Sequence, residues 1–132
     1  MPFLGGRSEW RLQTCDVRLQ KVLRTAIKNG PDFTVLCGWR SEADQRKAVE
    51  SGRSRTPFPK SKHNKTPSLA VDVAPYPLDW EDIGRFRALV SYILGVGAGL
   101  GIELRSGADW DRDWKHDDHK LIDWPHIELV DP

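Results

Sequence analysis

The chain has 132 residues, of which 39% are hydrophobic and 30% are charged. This length and composition suit one globular domain that buries its own core, and we expect that domain to span residues 1–132. Twenty basic residues offset nineteen acidic ones to a formal net charge of +1, so the chain lacks the strongly basic surface typical of nucleic-acid-binding proteins. We therefore expect no nucleic-acid partner.

The cysteines and the apolar segments exclude two further classes of protein. Cys15 and Cys37 are far apart and form no CxxC pair, which favours reduced thiols over a disulfide or a zinc knuckle. No run reaches the roughly 18 apolar residues of a membrane span, and the N-terminus lacks the basic and apolar segments of a signal peptide. The sequence predicts a protein made in the cytoplasm, without a signal peptide and without stable membrane association.

The first predicted elements are a helix, a strand and a second helix. Apolar residues recur at helical spacing over residues 19–27, and Asn29-Gly30-Pro31 ends that pattern. Residues 33–37 are rich in β-forming side chains and predict a strand. Ser41 is the predicted N-cap of a short helix that ends near residue 51.

Residues 53–68 predict a long irregular loop, because they include three prolines and five basic residues. Long loops in compact domains are often functional. We interpret the positive charge of this loop as a solvated surface, with contact to an anionic polymer as the alternative.

The next elements are a strand and the longest predicted helix. Residues 70–74 predict the strand. Asp79 is the predicted cap of a helix that covers residues 83–93, and glycines from Gly95 to Gly101 are predicted to interrupt its tail.

Two short strands complete the predicted fold. They cover residues 102–104 and 126–129, and an acidic, tryptophan-rich segment from Gly107 to Trp124 separates them. Because helices and short strands are mixed along the chain, we expect an α+β fold with a small, mainly antiparallel sheet flanked by helices.

Asp72 stands in the middle of the predicted strand over residues 70–74. Side chains alternate between the two faces of a strand, so Asp72 shares its face with Ala70 and Ala74. A buried carboxylate without a partner is unfavourable, which indicates that Asp72 meets a cation or a metal ion. The two small neighbours leave room for a metal and a substrate.

The strand over residues 126–129 places His126 and Glu128 on one face. Glu128 can then accept a hydrogen bond from the distal ring nitrogen of a metal-bound histidine. Asp123 precedes His126 across Trp124-Pro125, a rigid turn that suits a carboxylate acting as general base on a water molecule. A single His or Asp in a strand is more often structural, so these residues alone leave both interpretations open.

Four motifs follow one another along the chain. They are Gly38-Trp39-Arg40-Ser41 with Gln45, Ser61-Lys62-His63 with Ala70-Val71-Asp72, Gly107-Ala108-Asp109-Trp110, and Asp123-Trp124-Pro125-His126-Ile127-Glu128-Leu129. In this order they resemble the motifs of the D-alanyl-D-alanine carboxypeptidase and VanY-like zinc peptidases, especially the phage endolysins that cleave the L-alanyl-D-glutamate bond. The resemblance covers most of the chain and implies a Hedgehog/D-Ala-D-Ala peptidase-like fold.

The resemblance also implies a site built around one zinc ion. His63, Asp72 and His126 correspond to the zinc ligands, Asp123 to the general base, and Arg40 to a residue that binds substrate or stabilises the developing oxyanion. In the family a glycine stands between a more closely spaced His and Asp. Here the two ligands are nine positions apart, with Thr66-Pro67-Ser68 in place of the glycine.

The acidic segment carries two alternative metal-binding patterns. Asp109, Asp111 and Asp113 alternate as at the start of a calcium loop, but the later glycine and glutamate of such a loop are absent. We interpret the segment as a solvated acidic flap, with calcium binding as the alternative. His116 and His119 have a helical three-residue spacing and are the alternative to His126 as a metal ligand.

By resemblance, the expected function is hydrolysis of peptide bonds in bacterial peptidoglycan stem peptides by a phage endolysin with L-alanyl-D-glutamate endopeptidase activity. A D-alanyl-D-alanine carboxypeptidase and a non-catalytic, zinc-bearing wall-binding module are the alternatives. For an endolysin we expect a monomer without a separate cell-wall-binding domain. It would stay in the host cytoplasm until a partner holin opens the membrane and would then act on the cell wall.

Overall fold

The structure is a computed structural model that describes residues 3–107, 112 and 123–130. The helices in these residues are α1 (Gly6–Leu12), α2 (Val17–Asn29), α3 (Glu42–Glu50), a short 3₁₀ turn (Lys62–Asn64) and α4 (Ile83–Gly99). The strands are β1 (Phe33–Cys37), β2 (Ala70–Pro75), β3 (Leu104–Ser106) and β4 (His126–Leu129).

The four strands form one antiparallel sheet in the order β1-β2-β4-β3. β2 and β4 are therefore the central pair, and Asp72 lies directly opposite His126 across them. Residues directly opposite on neighbouring strands have their side chains within contact distance on the same face. The expected α+β fold with a small antiparallel sheet is confirmed.

The two faces of the central strands have different roles. Val71, Val73, Ile127 and Leu129 point into the hydrophobic core, where they join apolar residues of α2 and α4. The alternate positions carry Asp72, His126 and Glu128, as the strand alternation predicted. The core thus fixes the register, because a slip of one residue would turn the polar face inward.

Helix α1 was not predicted from the sequence. Its Ser8 hydroxyl is buried and accepts a hydrogen bond from the backbone N–H of Val35 at 3.0 Å, and Arg11 donates to the carbonyl of Val35 at 3.1 Å. These bonds occupy backbone groups of β1, which is an edge strand of the sheet. α1 therefore covers an edge that would otherwise be open to pairing.

Helix α4 differs from its prediction at both ends. Asp79 does not cap it: the Asp79 side chain accepts from the N–H of Glu81 in the preceding turn, and Asp82 caps the helix by accepting from the N–H of Arg85. The glycines do not interrupt it either, since α4 continues to Gly99. Packing against the core outweighs the weak helix propensity of glycine here.

The strand predicted over residues 102–104 is shifted to Leu104–Ser106. The backbone N–H of Ile102 bonds to the carbonyl of Gly97 at 2.8 Å, so Ile102 belongs to the C-terminal closure of α4. Leu104 is the first residue to pair with β4.

The structure also describes the two cysteines and the apolar character of the helices. Cys15 is buried, Cys37 is half-buried, and both are free thiols as expected. Within the described ranges no helix is both long and apolar enough to cross a membrane.

Substitutions at two glycines of α4 separate the effect of tertiary packing on stability from the effect of helix propensity. A Cβ at Gly97 would lie 2.7 Å from Leu104 Cδ1 and 3.0 Å from the carbonyl oxygen of Ile102, whereas a Cβ at Gly95 would meet nothing within 4 Å. We predict that Gly97→Ala lowers the free energy of unfolding by about 1–3 kcal/mol. Gly95→Ala should raise it by about 0.5–1 kcal/mol. Urea unfolding measures both, and equal shifts in one direction would contradict the close approach at Gly97.

Candidate metal centre

Three side chains converge above the polar face of the central strands. His63 Nε2 lies 3.2 Å from Asp72 Oδ1, and His126 Nδ1 lies 3.4 Å from the same oxygen. One ligand atom from each of the three residues falls within 4.8 Å of the others. A carboxylate oxygen and two imidazole nitrogens in this proximity can hold a metal ion.

The ring of His63 is oriented by a backbone carbonyl. His63 is almost fully buried, and its Nδ1 lies 2.8 Å from the carbonyl oxygen of Gly38. Because a carbonyl only accepts hydrogen bonds, Nδ1 carries the proton and donates it. Nε2 is left as the ligand nitrogen, and it faces Asp72.

Gly38 can reach His63 because it has no side chain. A Cβ at this position would lie 2.4 Å from the carbonyl oxygen of Arg11 and 2.4 Å from the hydroxyl of Thr14. The backbone at Gly38 is therefore pressed against the end of α1, which fixes the carbonyl that holds His63. This contact connects the unpredicted helix α1 to the site.

The ring of His126 is oriented by a contact with Glu128. His126 Nε2 and Glu128 Oε1 are 2.8 Å apart, which leaves Nδ1 facing Asp72. The Glu128 carboxylate also pairs with Lys62 at 3.4 Å and with Arg105 at 3.6 Å. Its negative charge is thus balanced by two cations while it holds the histidine.

The charges of the group favour a cation at its centre. Burial alone would lower the pKa of His63, but the charge of Asp72 and the hydrogen bond to it raise that pKa to about 10. Burial alone would raise the pKa of Asp72, but the two histidines hold it well below its ordinary value. Protons on the imidazoles balance the carboxylate here, and a metal cation can replace them. Two imidazoles and one carboxylate are a donor set that suits zinc with an open fourth position.

Asp123 is held near this group by the turn that precedes β4. Its carbonyl accepts from the N–H of His126 at 3.1 Å, and its N–H donates to the carbonyl of Gly107 at 2.9 Å. The side chain is half-buried, and burial together with the negative charge of Asp72 raises its pKa. A carboxylate with a raised pKa is a better proton acceptor.

Arg40 reaches the group from the segment that follows β1. Its guanidinium lies 3.4 Å from Asp72 Oδ2 and donates to Gln45 Oε1 at 3.0 Å. Its backbone N–H donates to the carbonyl of His63 at 2.8 Å. Arg40 therefore links β2, which carries Asp72, to the segment that carries His63.

The longer spacing between His63 and Asp72 is absorbed in the connecting loop. His63 lies in the 3₁₀ turn, which Ser61 caps by accepting from the backbone N–H of His63 at 3.2 Å. The chain then returns to the sheet, because Ser68 donates through its N–H to the carbonyl of Thr14 at 2.9 Å. His63 thus lies beside Asp72 although the two residues are farther apart in sequence than in the family.

A cleft of about 930 Å³ opens over these residues. The cleft is lined by the three candidate metal ligands and by Asp123 and Arg40. Basic side chains of the loop over residues 53–62 also line it. Trp80, Ile83, Phe86 and Trp124 add apolar surface to the lining. A volume of this size suits a peptide-sized ligand.

Several parts of the site were not predicted from the sequence. The Gly38 carbonyl gave no side-chain signal, although Gly38 belongs to one of the quoted motifs. The rings of Trp80 and Phe86 stack at 5.5 Å, and the sequence predicted no role in the site for either residue. The acidic residues Asp109, Asp111 and Asp113, and the alternative ligands His116 and His119, lie outside the described residues.

The chain is similar to known proteins over nearly its whole length. The family model for the phage L-alanyl-D-glutamate peptidases matches residues 1–130. The chain belongs to that family. It is 40% identical over 134 residues to the L-alanyl-D-glutamate peptidase of Escherichia phage T5, covering 96% of each chain. The crystal structure of the Serratia marcescens L-Ala-D-Glu endopeptidase ChiX is also similar, with a TM-score of 0.77 and 28% identity.

The coverage of these matches shows that the similarity extends beyond the site. The ChiX alignment includes 98% of this chain and 91% of that one. The family that the four motifs indicated is therefore confirmed, and with it the peptidase class of the protein.

Glu128 offers a test of how the histidine ring is held. We predict that Glu128→Gln lowers the affinity for zinc by about 10- to 100-fold, because the charged acceptor that orients His126 is lost. Glu103→Gln is the matched control, since Glu103 is exposed on the neighbouring segment and pairs only with Arg112 among the described residues. Competition with a chromogenic chelator measures both affinities. Equal affinities for the two variants would show that Glu128 does not support a metal ligand.

Proposed function

We propose that the protein is a zinc-dependent L-alanyl-D-glutamate endopeptidase that hydrolyses stem peptides of bacterial peptidoglycan. The observation that carries the proposal is the arrangement of His63, Asp72 and His126. Each histidine presents one nitrogen to Asp72 while the other nitrogen is held by Gly38 or Glu128. Membership of the phage L-alanyl-D-glutamate peptidase family gives the bond, and the substrates named for both relatives agree with it.

His63 Nε2, Asp72 and His126 Nδ1 would hold the zinc ion. When bound, zinc supplies a Lewis acid that polarises a peptide carbonyl and lowers the pKa of water. The outer contacts hold His63 Nδ1 and His126 Nε2, so the nitrogens that face Asp72 are the ones that would give up their protons to a metal ion. We infer zinc as the metal from this donor set of two imidazoles and one carboxylate.

Asp123 is the general base in this proposal. Its carboxylate takes a proton from the attacking water, and the water oxygen bonds to the carbonyl carbon of the scissile peptide. As the C–N bond breaks, Asp123 returns the proton to the leaving amine. Its half-buried place in the cleft and its raised pKa support this role.

Arg40 supplies positive charge beside the reacting atoms. Its guanidinium is tied to Asp72 and Gln45, so its position is fixed before substrate binds. A guanidinium in a partly buried cleft stabilises negative charge on the substrate or on the developing oxyanion.

The biological setting that we propose is phage lysis, with residues 1–132 acting as one catalytic domain. The similarity to a peptidase of Escherichia phage T5 over 96% of both chains supports it. In this setting the protein stays in the host cytoplasm until a holin opens the membrane, and it then reaches the cell wall.

Replacing the base separates catalysis from metal binding. We predict that Asp123→Asn keeps bound zinc but loses about 10²- to 10⁴-fold in the rate of peptidoglycan hydrolysis. His63→Ala should lose both zinc and activity. Asp79→Asn, an exposed carboxylate in the turn before α4, is the matched control and should keep both. Elemental analysis of the purified variants and release of soluble wall fragments are the measurements.

Product masses complete this test. The wild-type protein should expose a new amino terminus on D-glutamate. Release of free D-alanine instead would identify a carboxypeptidase, and normal lysis by Asp123→Asn would show that another group is the base. Binding to walls without any cleavage would support a non-catalytic module.

A further inference from the structure

Three cations of the loop after α3 line the cleft, and we call Arg53, Arg55 and Lys60 the basic wall. All three side chains are exposed. Among the described residues, none of them forms an ion pair with a carboxylate, and Arg53 donates only to the hydroxyl of Ser51 at 2.9 Å. These positive charges are therefore free to meet an anionic ligand.

Two other cations that line the cleft, Arg40 and Lys62, already have carboxylate partners, and Lys47 lines the cleft from α3. Arg40 pairs with Asp72, and Lys62 pairs with Glu128 and donates to the carbonyl of Leu129. They hold the metal group together, whereas the basic wall has no such structural partner in the described part of the chain. The charges of the basic wall are therefore not needed to hold the metal group together.

The loop that carries the basic wall is tied down. Gln45 is fully buried, and its amide donates to the hydroxyl of Ser54 at 3.1 Å and to the carbonyl of Thr56 at 2.7 Å. The N–H of Ser54 also bonds to the carbonyl of Ala48 at 3.0 Å. Arg55 stands between two tethered residues, so its backbone is positioned at the cleft before a ligand arrives. Preorganised charge of this kind contributes more to recognition than charge on a flexible loop.

The substrate of the proposed function supplies a matching anion. A glutamate that is joined through its amine and through one carboxyl group has a second carboxyl group left over. In a stem peptide this second carboxyl group belongs to the residue whose nitrogen forms the scissile bond. It is either a free carboxylate or an amide. A free carboxylate can form charge-assisted hydrogen bonds with Arg and Lys, whereas an amide offers only a neutral oxygen.

We propose that the basic wall recognises the free carboxylate of D-glutamate, so that the enzyme prefers stem peptides in which this group is not amidated. The inference rests on the proposed function, because it takes the L-alanyl-D-glutamate bond as the one cleaved. The basic wall acts on specificity, since its side chains bind a part of the substrate that does not react.

Two synthetic peptides that differ only at this group test the proposal. Each contains the L-alanyl-D-glutamate bond, and the second carboxyl group is free in one and amidated in the other. We predict that the zinc-loaded wild-type enzyme favours the free acid on the order of tenfold in kcat/KM, the size expected for a few exposed ionic contacts. The combined variant Arg53→Gln, Arg55→Gln, Lys60→Gln should bring this ratio close to one.

A second triple variant controls for net charge. Arg7, Lys21 and Lys28 are exposed cations that do not line the cleft, and replacing all three by Gln removes the same charge. This variant should keep the wild-type ratio. A wild-type enzyme that cleaves both peptides equally, or a basic-wall variant that keeps the preference, would overturn the basic wall alone. Cleavage of neither peptide by the wild-type enzyme would overturn the proposed function, and the basic wall with it.

Discussion

The carboxylate of Asp72 imposes the constraint on which the site depends. It lies on a central strand between two histidine rings and is largely withdrawn from water, where an uncompensated charge would be strongly unfavourable. The protein meets this constraint with cationic or coordinating partners on each side rather than by removing the charge. A carboxylate held ionised beside two oriented imidazoles is a place where a divalent metal binds in exchange for protons.

The remainder of the fold keeps these three side chains in place. The apolar face of β2 and β4 fixes the sheet register, and therefore sets Asp72 opposite His126. Helix α1 presses on Gly38, whose carbonyl orients His63, and Glu128 does the same for His126. The two histidines are thus oriented by different parts of the chain, one by a backbone group and one by a side chain.

The sequence could predict the parts of the site that follow from strand alternation. Asp72, His126 and Glu128 share a face because side chains alternate along a strand, and the family motifs pointed to His63 despite its altered spacing. Helix α1 was not predicted, because it is short and because it is stabilised by packing against β1, a strand that is distant in sequence. The true cap Asp82 and the continuation of α4 past Gly95 depend on tertiary packing, which propensity does not report. For the basic residues from Arg53 to Lys65 the sequence leaves open a solvated surface and contact with an anionic polymer, because only the folded chain shows which of them line the cleft.

Anomalous diffraction at the zinc edge from crystals of the zinc-loaded protein would locate the metal ion. We predict one strong peak about 2.0–2.2 Å from His63 Nε2, from a carboxylate oxygen of Asp72 and from His126 Nδ1. His63 Nδ1 should still face the Gly38 carbonyl, and His126 Nε2 should still face Glu128. A peak coordinated by His116 or His119, or by His126 through Nε2, would show that the metal centre is not the one formed by His63, Asp72 and His126.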